Sequence, residues 1–419
     1  MSLNGTLITG VTGMTAQSAA MGVVSNNIAN ASTVGYKDSV NRFATLVAQN
    51  SAGPSGYGWG GVEARAQLRS DAQGLLISAQ RTTDMAVQGR GFFSVAPRTD
   101  VTTAGLSGTA ERLLTRAGDF VTDKDGFLVN SAGMTLLGVM GAGTSANGAG
   151  YDSLVPLRVD LSATLPAVTT TTLTMGANLP ANAAVGDTFD ITGPGYAADG
   201  NSYGLKYTFT KTAANAWSVQ MTGVTQNGTA VTGATVTGTP VAITFDANGQ
   251  PLTPAAGTAI NPGTVTLPGT GGTLAPAVTL NMTQLGDDFA SYVTTGNGHP
   301  ELQPTGTSLS ESGVLYQTFQ GGYTNEIGRV PLVNVINPTG LEAVTGTTFA
   351  ITDASGVAVV TNAEENGAGE IKSETLEYST VELAEEFSNM IVIQSSYNAN
   401  SKIITTADSM YETLAGLAR

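Results

Sequence analysis

Two stretches, one at each end of the chain, carry the same helical pattern of hydrophobic and small positions. Leu3, Leu7, Gly10, Met14, Gln17, Met21, Val24 and Ile28 recur at alternating steps of three and four. So do Ile393, Ser396, Asn400, Ile403, Ala407, Met410, Leu414 and Leu417. Positions so spaced fall on one helix face and need a partner. From Tyr378 onward there is no Pro, and the only Gly is Gly416. Such a helix would run roughly 55 Å at 1.5 Å per residue. No adjacent sequence can cover it, so the pattern predicts that the two termini pair as a coiled-coil stem.

Between the termini the period changes from helical to β. Asn30 to Gly35 reads as a helix stop, with Gly35 free to turn left-handed. Asn50 to Gly61 is a Gly-rich linker whose Tyr57 and Trp59 would pin it to a neighbour. Met85 to Val95 holds a Gly-Arg-Gly followed by a strand. A dinucleotide loop needs a third Gly and a following helix, so that chemistry is excluded. Phe120 to Leu128 resembles a calcium loop, but its sixth and twelfth positions from Asp123 are Leu128 and Met134 rather than Gly and Glu. The Asp-Gly pair there reads as a hairpin turn. The same chemistry is expected at Phe245–Leu252 and Phe349–Val357.

From Tyr151 to about Asn281 the chain is rich in Thr, Gly, Ala, Val and Pro. Alternating runs at Leu205–Thr210 and Trp217–Met221, anchored by Phe189, Tyr207, Phe209, Trp217 and Phe245, predict a compact all-β domain. A glycosylated Thr-rich stalk is the rival reading. β patterning returns from Tyr316 to Ala363. The expected fold class is α+β and multi-domain, with the terminal helices paired as a coiled-coil stem and nested mainly-β domains between them. The expected division is a stem of 1–36 with 375–419, a transition linker at 37–70, an inner β domain of 71–150 with 281–374, and an inserted outer β domain at 151–280.

Composition narrows the chemistry. The 419 residues are only 12% charged and carry a formal net charge of −15, which argues against a nucleic-acid surface. No Cys is present, excluding disulfides, thiol catalysis and Cys-metal sites. The first charged residue is Lys37. The stretch before it lacks the basic start of a signal peptide, and scattered Asn, Gln, Ser and Thr argue against a membrane span. An amphipathic helix with a charge-free polar face fits better, and that face should meet protein or a confined polar channel. The single His, His299, reads as a surface-loop residue. The acidic run Glu364–Glu386 reads as a solvated face or linker. The mildly basic segment Lys37–Arg98 is expected to answer it within or between subunits. No catalytic, cofactor or metal site emerges.

Five motifs then converge on one family. Ser25-Asn-Asn-Ile-Ala-Asn-Ala-Ser-Thr-Val-Gly-Tyr-Lys37 resembles the N-terminal signature of bacterial flagellar rod and hook proteins, notably at Ser25, Asn26, Asn27, Ala29, Asn30, Gly35, Tyr36 and Lys37. Gln88–Val95 and Leu114–Phe120 resemble the next two motifs, in order. Val381–Val392 and Tyr397–Asp408 resemble the C-terminal ones, closest to the hook members. The chain departs from the family where Ser395 follows Gln394 in place of Arg.

The resemblance implies a non-enzymatic subunit, exported unfolded through the flagellar type III apparatus without signal cleavage. It would self-assemble into a curved hollow tube that bends while carrying torque from rod to filament. It would have no cofactor and no membrane insertion. Implied partners are further copies of itself and the distal rod, hook cap and hook-filament junction proteins. Stem residues Leu3, Leu7, Met14, Met21, Val24, Ile28, Ile393, Ile403, Ala407, Met410, Leu414 and Leu417 would drive assembly. A distal rod protein is the near alternative. A secreted β-rich adhesin or polysaccharide-active protein is the distant one, and no aromatic or carboxylate cleft is visible for it.

Overall fold

The period-3.6 stretches form the helices α1 (Leu3–Ala29) and α2 (Leu383–Leu417) in a computed structural model that describes residues 3–46, 60–102, 105–107, 110–160, 162–286, 288–345 and 347–417. α1 stops where expected. Asn30 caps the turn, and Gly35 takes a left-handed φ of 68°. α2 opens with Glu385 and Glu386 in its first turn, where carboxylates face the positive end of the helix dipole. Gly5–Ala29 is also long and apolar enough to cross a membrane, with a mean hydropathy of 1.2.

The two helices pack on each other, and the face that α1 turns inward differs from the expected seam. Gly10, Gly13, Ala16, Ala20, Val24 and Asn27 are buried, while Leu7, Met14, Gln17, Met21 and Ile28 are half-buried beside them. Small residues decide the register, because a Cβ on Gly10 would lie 2.9 Å from Ile404 and one on Gly13 would lie 2.8 Å from Asn400. The backbones approach closely there, and the longer side chains flank the contact. On α2, Ile393 and Ala407 are buried as expected, but Ile404 turns toward α1 instead of Ile403. Ile403 and Met410 are 42% and 52% exposed. The side chains of Leu3, Leu414 and Leu417 lie outside the described residues.

The chain divides into two compact units, one of residues 1–161, 305–318 and 322–419, the other of 162–304 with 319–321. In the first unit the segment read as a linker contains a hairpin. β1 (Ser39–Leu46) pairs antiparallel with β2 (Gly61–Leu68), from Ser39↔Leu68 to Leu46↔Gly61. The hairpin lies on α1, with Asn41 Nδ2 donating to the Ala20 carbonyl and Thr9 Oγ1 to that of Gly60. Tyr57 and Trp59 lie outside the described residues.

The main sheet of this unit draws strands from two distant parts of the chain. Phe93–Pro97 pairs with both Leu113–Thr115 and Met134–Met140. Beyond them, Thr324–Arg329 joins Met134–Met140, and Thr348–Ala350 joins Leu113–Thr115. Phe93 and Phe120 meet edge-on in one core, and Phe92 and Phe349 in a second. Asp123 makes the expected hairpin turn, its carboxylate accepting from the N–H groups of Asp125 and Phe127. Asp246 repeats this toward Asn248 and Gln250 in the second unit. The third predicted hairpin does not form. Thr352–Gly356 turns, but Thr348–Ala350 and Val359–Thr361 each pair with other strands.

The second unit is a folded β structure rather than a stalk. Thr188–Tyr196, Ser202–Ala213, Ala216–Gln226, Val241–Phe245 and Pro251–Thr253 form consecutive neighbours in one sheet. Burial alternates along Ser202–Ala213 with period two, placing Tyr207 and Phe209 in the core with Trp217. The segment 281–304 belongs here and not with the inner strands, since Ala290–Gly296 pairs with Thr172–Asn178. His299 is buried rather than on a surface loop, bridged to Val168 with Nδ1 at 2.8 Å from the Pro300 carbonyl.

Candidate functional site: the crossing below the helices

The exit of α1 and the approach to α2 are tied together within the first unit. The Gly35 N–H donates to the Glu377 carbonyl at 2.7 Å, and the Thr380 N–H donates to the Tyr36 carbonyl at 3.2 Å. Thr380 Oγ1 accepts from the Asp38 N–H and donates to its carboxylate at 2.6 Å. Arg69 answers the other Asp38 oxygen at 3.2 Å. A side chain at Gly35 would strike the Ala117 N at 2.4 Å, so this position needs Gly for both φ and space.

At the centre of the crossing lies a buried ion cluster. Glu377 ends a short strand, Thr375–Glu377, paired with Leu76–Ser78. Its Oε1 accepts from Lys37 Nζ and from the Gly74 N–H, and its Oε2 accepts from Arg116 Nη1 at 3.2 Å. Lys37 also donates to the Ala72 carbonyl, and Arg116 to those of Val87 and Gly89. The Arg116 guanidinium lies over the Phe92 ring. All three charged residues are at most 4% exposed. Burial pushes the proton affinity of Lys37 and of Arg116 below the ordinary, and the attraction of Glu377 offsets this in part.

Asn27 joins the helices to this crossing. Its Nδ2 donates to the Ser39 carbonyl and to Glu386 Oε1, both at 2.8 Å. Its Oδ1 accepts from the Ser39 N–H and the Tyr36 hydroxyl. The signature therefore sorts into roles. Asn27, Gly35, Tyr36 and Lys37 build the crossing, and Asn30 caps α1 through the Asn26 carbonyl. Ser25, Asn26 and Ala29 are exposed.

Two residues of the buried ion cluster are not singled out by the sequence. Arg116 stood inside the Leu114–Phe120 motif, which was its available signal. Glu377 was one carboxylate among many in the acidic run. That run meets the basic segment within one chain, through Lys37 and Glu377, and at its core the contact is buried rather than solvated. A pair removed from water is screened little by salt.

Glu386 is the strained member. Burial raises its carboxyl pKa, the Asn27 bond opposes this, and the charges of Asp38 and Glu385 add to the rise. A carboxyl raised in the folded state stabilises below its unfolded pKa, and that contribution disappears as pH rises through the folded value. Glu386→Gln keeps an oxygen for Asn27 and removes the buried charge. Thermal melts should show the variant more stable than wild type at pH 7, with the difference shrinking toward pH 4. A constant difference would assign the effect to packing.

Comparison with known proteins gives this arrangement a setting. Residues 7–37 match the family described as flagella basal body rod protein, and 372–417 that described as flagellar basal body rod FlgEFG protein C-terminal. Residues 194–368 match the flagellar basal body protein FlaE D2 domain, reaching into the region where the sequence offered no motif. The crossing thus belongs to a protein of the flagellar axis. The flagellar hook protein FlgE of Rhizobium meliloti is 34% identical over 426 residues, covering 100% of both chains. That of Salmonella typhimurium is 27% identical, covering 97% of this chain and 98% of the other. The crystal structure of Helicobacter pylori flagellar hook protein FlgE2 aligns with a TM-score of 0.48 and 14% identity, over 72% of this chain and 100% of that one. The chain belongs to the flagellar hook protein FlgE family, a structural family with its place in the flagellar hook.

Proposed function

We propose that this hook subunit self-assembles into a curved hollow tube, a flexible joint carrying torque from rod to filament. In this reading α1 and α2 form a coiled-coil stem around the central channel, with nested β domains outside it. The observation that carries the reading is the apolar surface the helices leave uncovered. Ile8, Val11, Phe387, Ile391, Val392 and Met410 are 48–67% exposed although the helices pack on each other. Large apolar side chains left open along both helices are surface that a partner can cover, and neighbouring copies would complete the burial of half-buried Leu7, Met14, Met21 and Ile28. The absence of charge along α1 suits a channel wall that neither holds nor repels a passing unfolded chain. The same reading supplies export through the type III apparatus without signal cleavage, extracellular placement, and contact with distal rod, cap and hook-filament junction proteins.

Electron micrographs of cells lacking the gene test it. Basal bodies should remain while hooks and filaments are missing. Filaments on such cells would overturn the reading. Deleting 162–304 should leave a subunit that still polymerises but makes straight or irregular tubes, because in this reading curvature depends on contacts between the outer domains. Normally curved hooks from the shortened chain would remove that role from the second unit.

A further inference from the structure

A groove of about 300 Å³ opens in the first unit between the start of α2, the end of α1 and β1. Glu382, Glu385 and Glu386 line it on one side, and Val40, Phe43 and Val392 supply an apolar wall. Asp38 and Arg69 also face it but answer each other. Glu382 and Glu385 have no ion pair among the described residues. Glu386 is only 8% exposed, and its Oε2 is buried with no hydrogen-bond partner. A concave site with an apolar wall and unanswered carboxylates fits a long side chain with an apolar stem and a cationic head.

The described parts of α1 and α2 carry one basic residue, Lys402, which is exposed and without an ion pair among the described residues. It lies 16 residues beyond Glu386 on α2. That separation is about 24 Å along the helix and about 160° around it. Lys402 therefore cannot enter the groove of its own chain. It can enter that of a neighbour shifted by about 24 Å along a shared axis. Lysine face and acidic groove are different surfaces, so the contact is heterologous. Repeated, it propagates as a helical array rather than closing as a dimer.

We propose that this groove takes the Lys402 side chain of a second copy of the chain, its ammonium held by Glu382 and Glu385 above the Glu386 carboxylate. The proposal rests on the polymer reading above, and it fixes which faces meet and by what axial step.

The natural absence of Cys allows a clean test. Full-length Glu385→Cys and Lys402→Cys chains are prepared separately, mixed, polymerised and oxidised. A disulfide-linked dimer should appear in the mixed polymer and be absent from mixed monomer and from either variant polymerised alone. Within one chain the two positions are too far apart to join, so any such bond is intermolecular. In parallel, Lys402→Glu should raise the critical concentration for polymerisation at least tenfold. Lys402→Arg should leave it near wild type, and adding Glu385→Lys to Lys402→Glu should restore assembly. Mixed polymers of normal length without the cross-link would overturn the proposal, as would wild-type assembly by Lys402→Glu. Failure of the wild-type chain itself to polymerise would instead overturn the reading beneath it.

Discussion

Glu377→Leu is expected to lower the stability of the first unit by about 3–5 kcal/mol, the cost of leaving buried charges without their partner. Lys37 and Arg116 would remain in place, at 2% and 4% exposed, with two cations facing each other and no carboxylate between them. Chemical denaturation of the monomer would read the loss. Taking such charges out of water costs about as much as their attraction returns. Burial is the first cause that lowers the proton affinity of Lys37, the Arg116 charge adds to it, and Glu377 opposes both. Replacing all three residues by apolar ones of similar size should accordingly recover most of the loss. What should not recover is the register of the crossing, which assembly would report. A single Glu377→Leu chain that melts like wild type would remove the cluster from its place at the centre of the joint.

Ala20→Asp is expected to abolish assembly while leaving the β units intact. Ala20 is fully buried in the contact of α1 with α2, beside Val24 and Ile393. A carboxylate there has no partner and should cost more than about 3 kcal/mol of helix pairing. In the monomer both helices keep exposed apolar side chains, and packing on each other and on the β1–β2 hairpin repays little of their ordering entropy. The wild-type monomer should then be trimmed by protease toward a stable β core, whereas the polymer should resist. The variant should keep the melting transition of that core and form no polymer. A variant that polymerises would show that the small-residue face is not the organising contact, and a wild-type monomer with resistant ends would show that the helices are complete before assembly.

Periodicity carried far because the helices are long and uninterrupted. The C-terminal stop of α1, the two Asp-centred hairpin turns and the alternation along Ser202–Ala213 all follow from local chemistry that a sequence displays. The failures share a different cause. The face that α1 buries is set by Gly10, Gly13, Ala16 and Ala20, which register weakly as hydrophobic but permit close backbone approach. β1 and β2 are too far apart in sequence for a short turn to announce their pairing. The third turn looked like its predecessors, and only distant strands decided that its arms would part. Lys37, Arg116 and Glu377 are far apart in the chain, and nothing near Glu377 distinguishes it from the exposed carboxylates around it. Local signals announce elements, while the site depends on which elements meet.

The crossing also bears on how such a chain can change over time. Gly35–Asp38 and Glu377–Thr380 are held together with Arg69, Ala72, Gly74 and Arg116, so the chain beyond Arg116 leaves and returns to a single fastening. Closing a loop costs only about 0.6 kcal/mol more for each doubling of its length. Insertions and deletions beyond Arg116, away from these residues, would therefore scarcely disturb the fastening. Length there is free to drift between lineages, while substitutions at the few residues of the fastening itself are not.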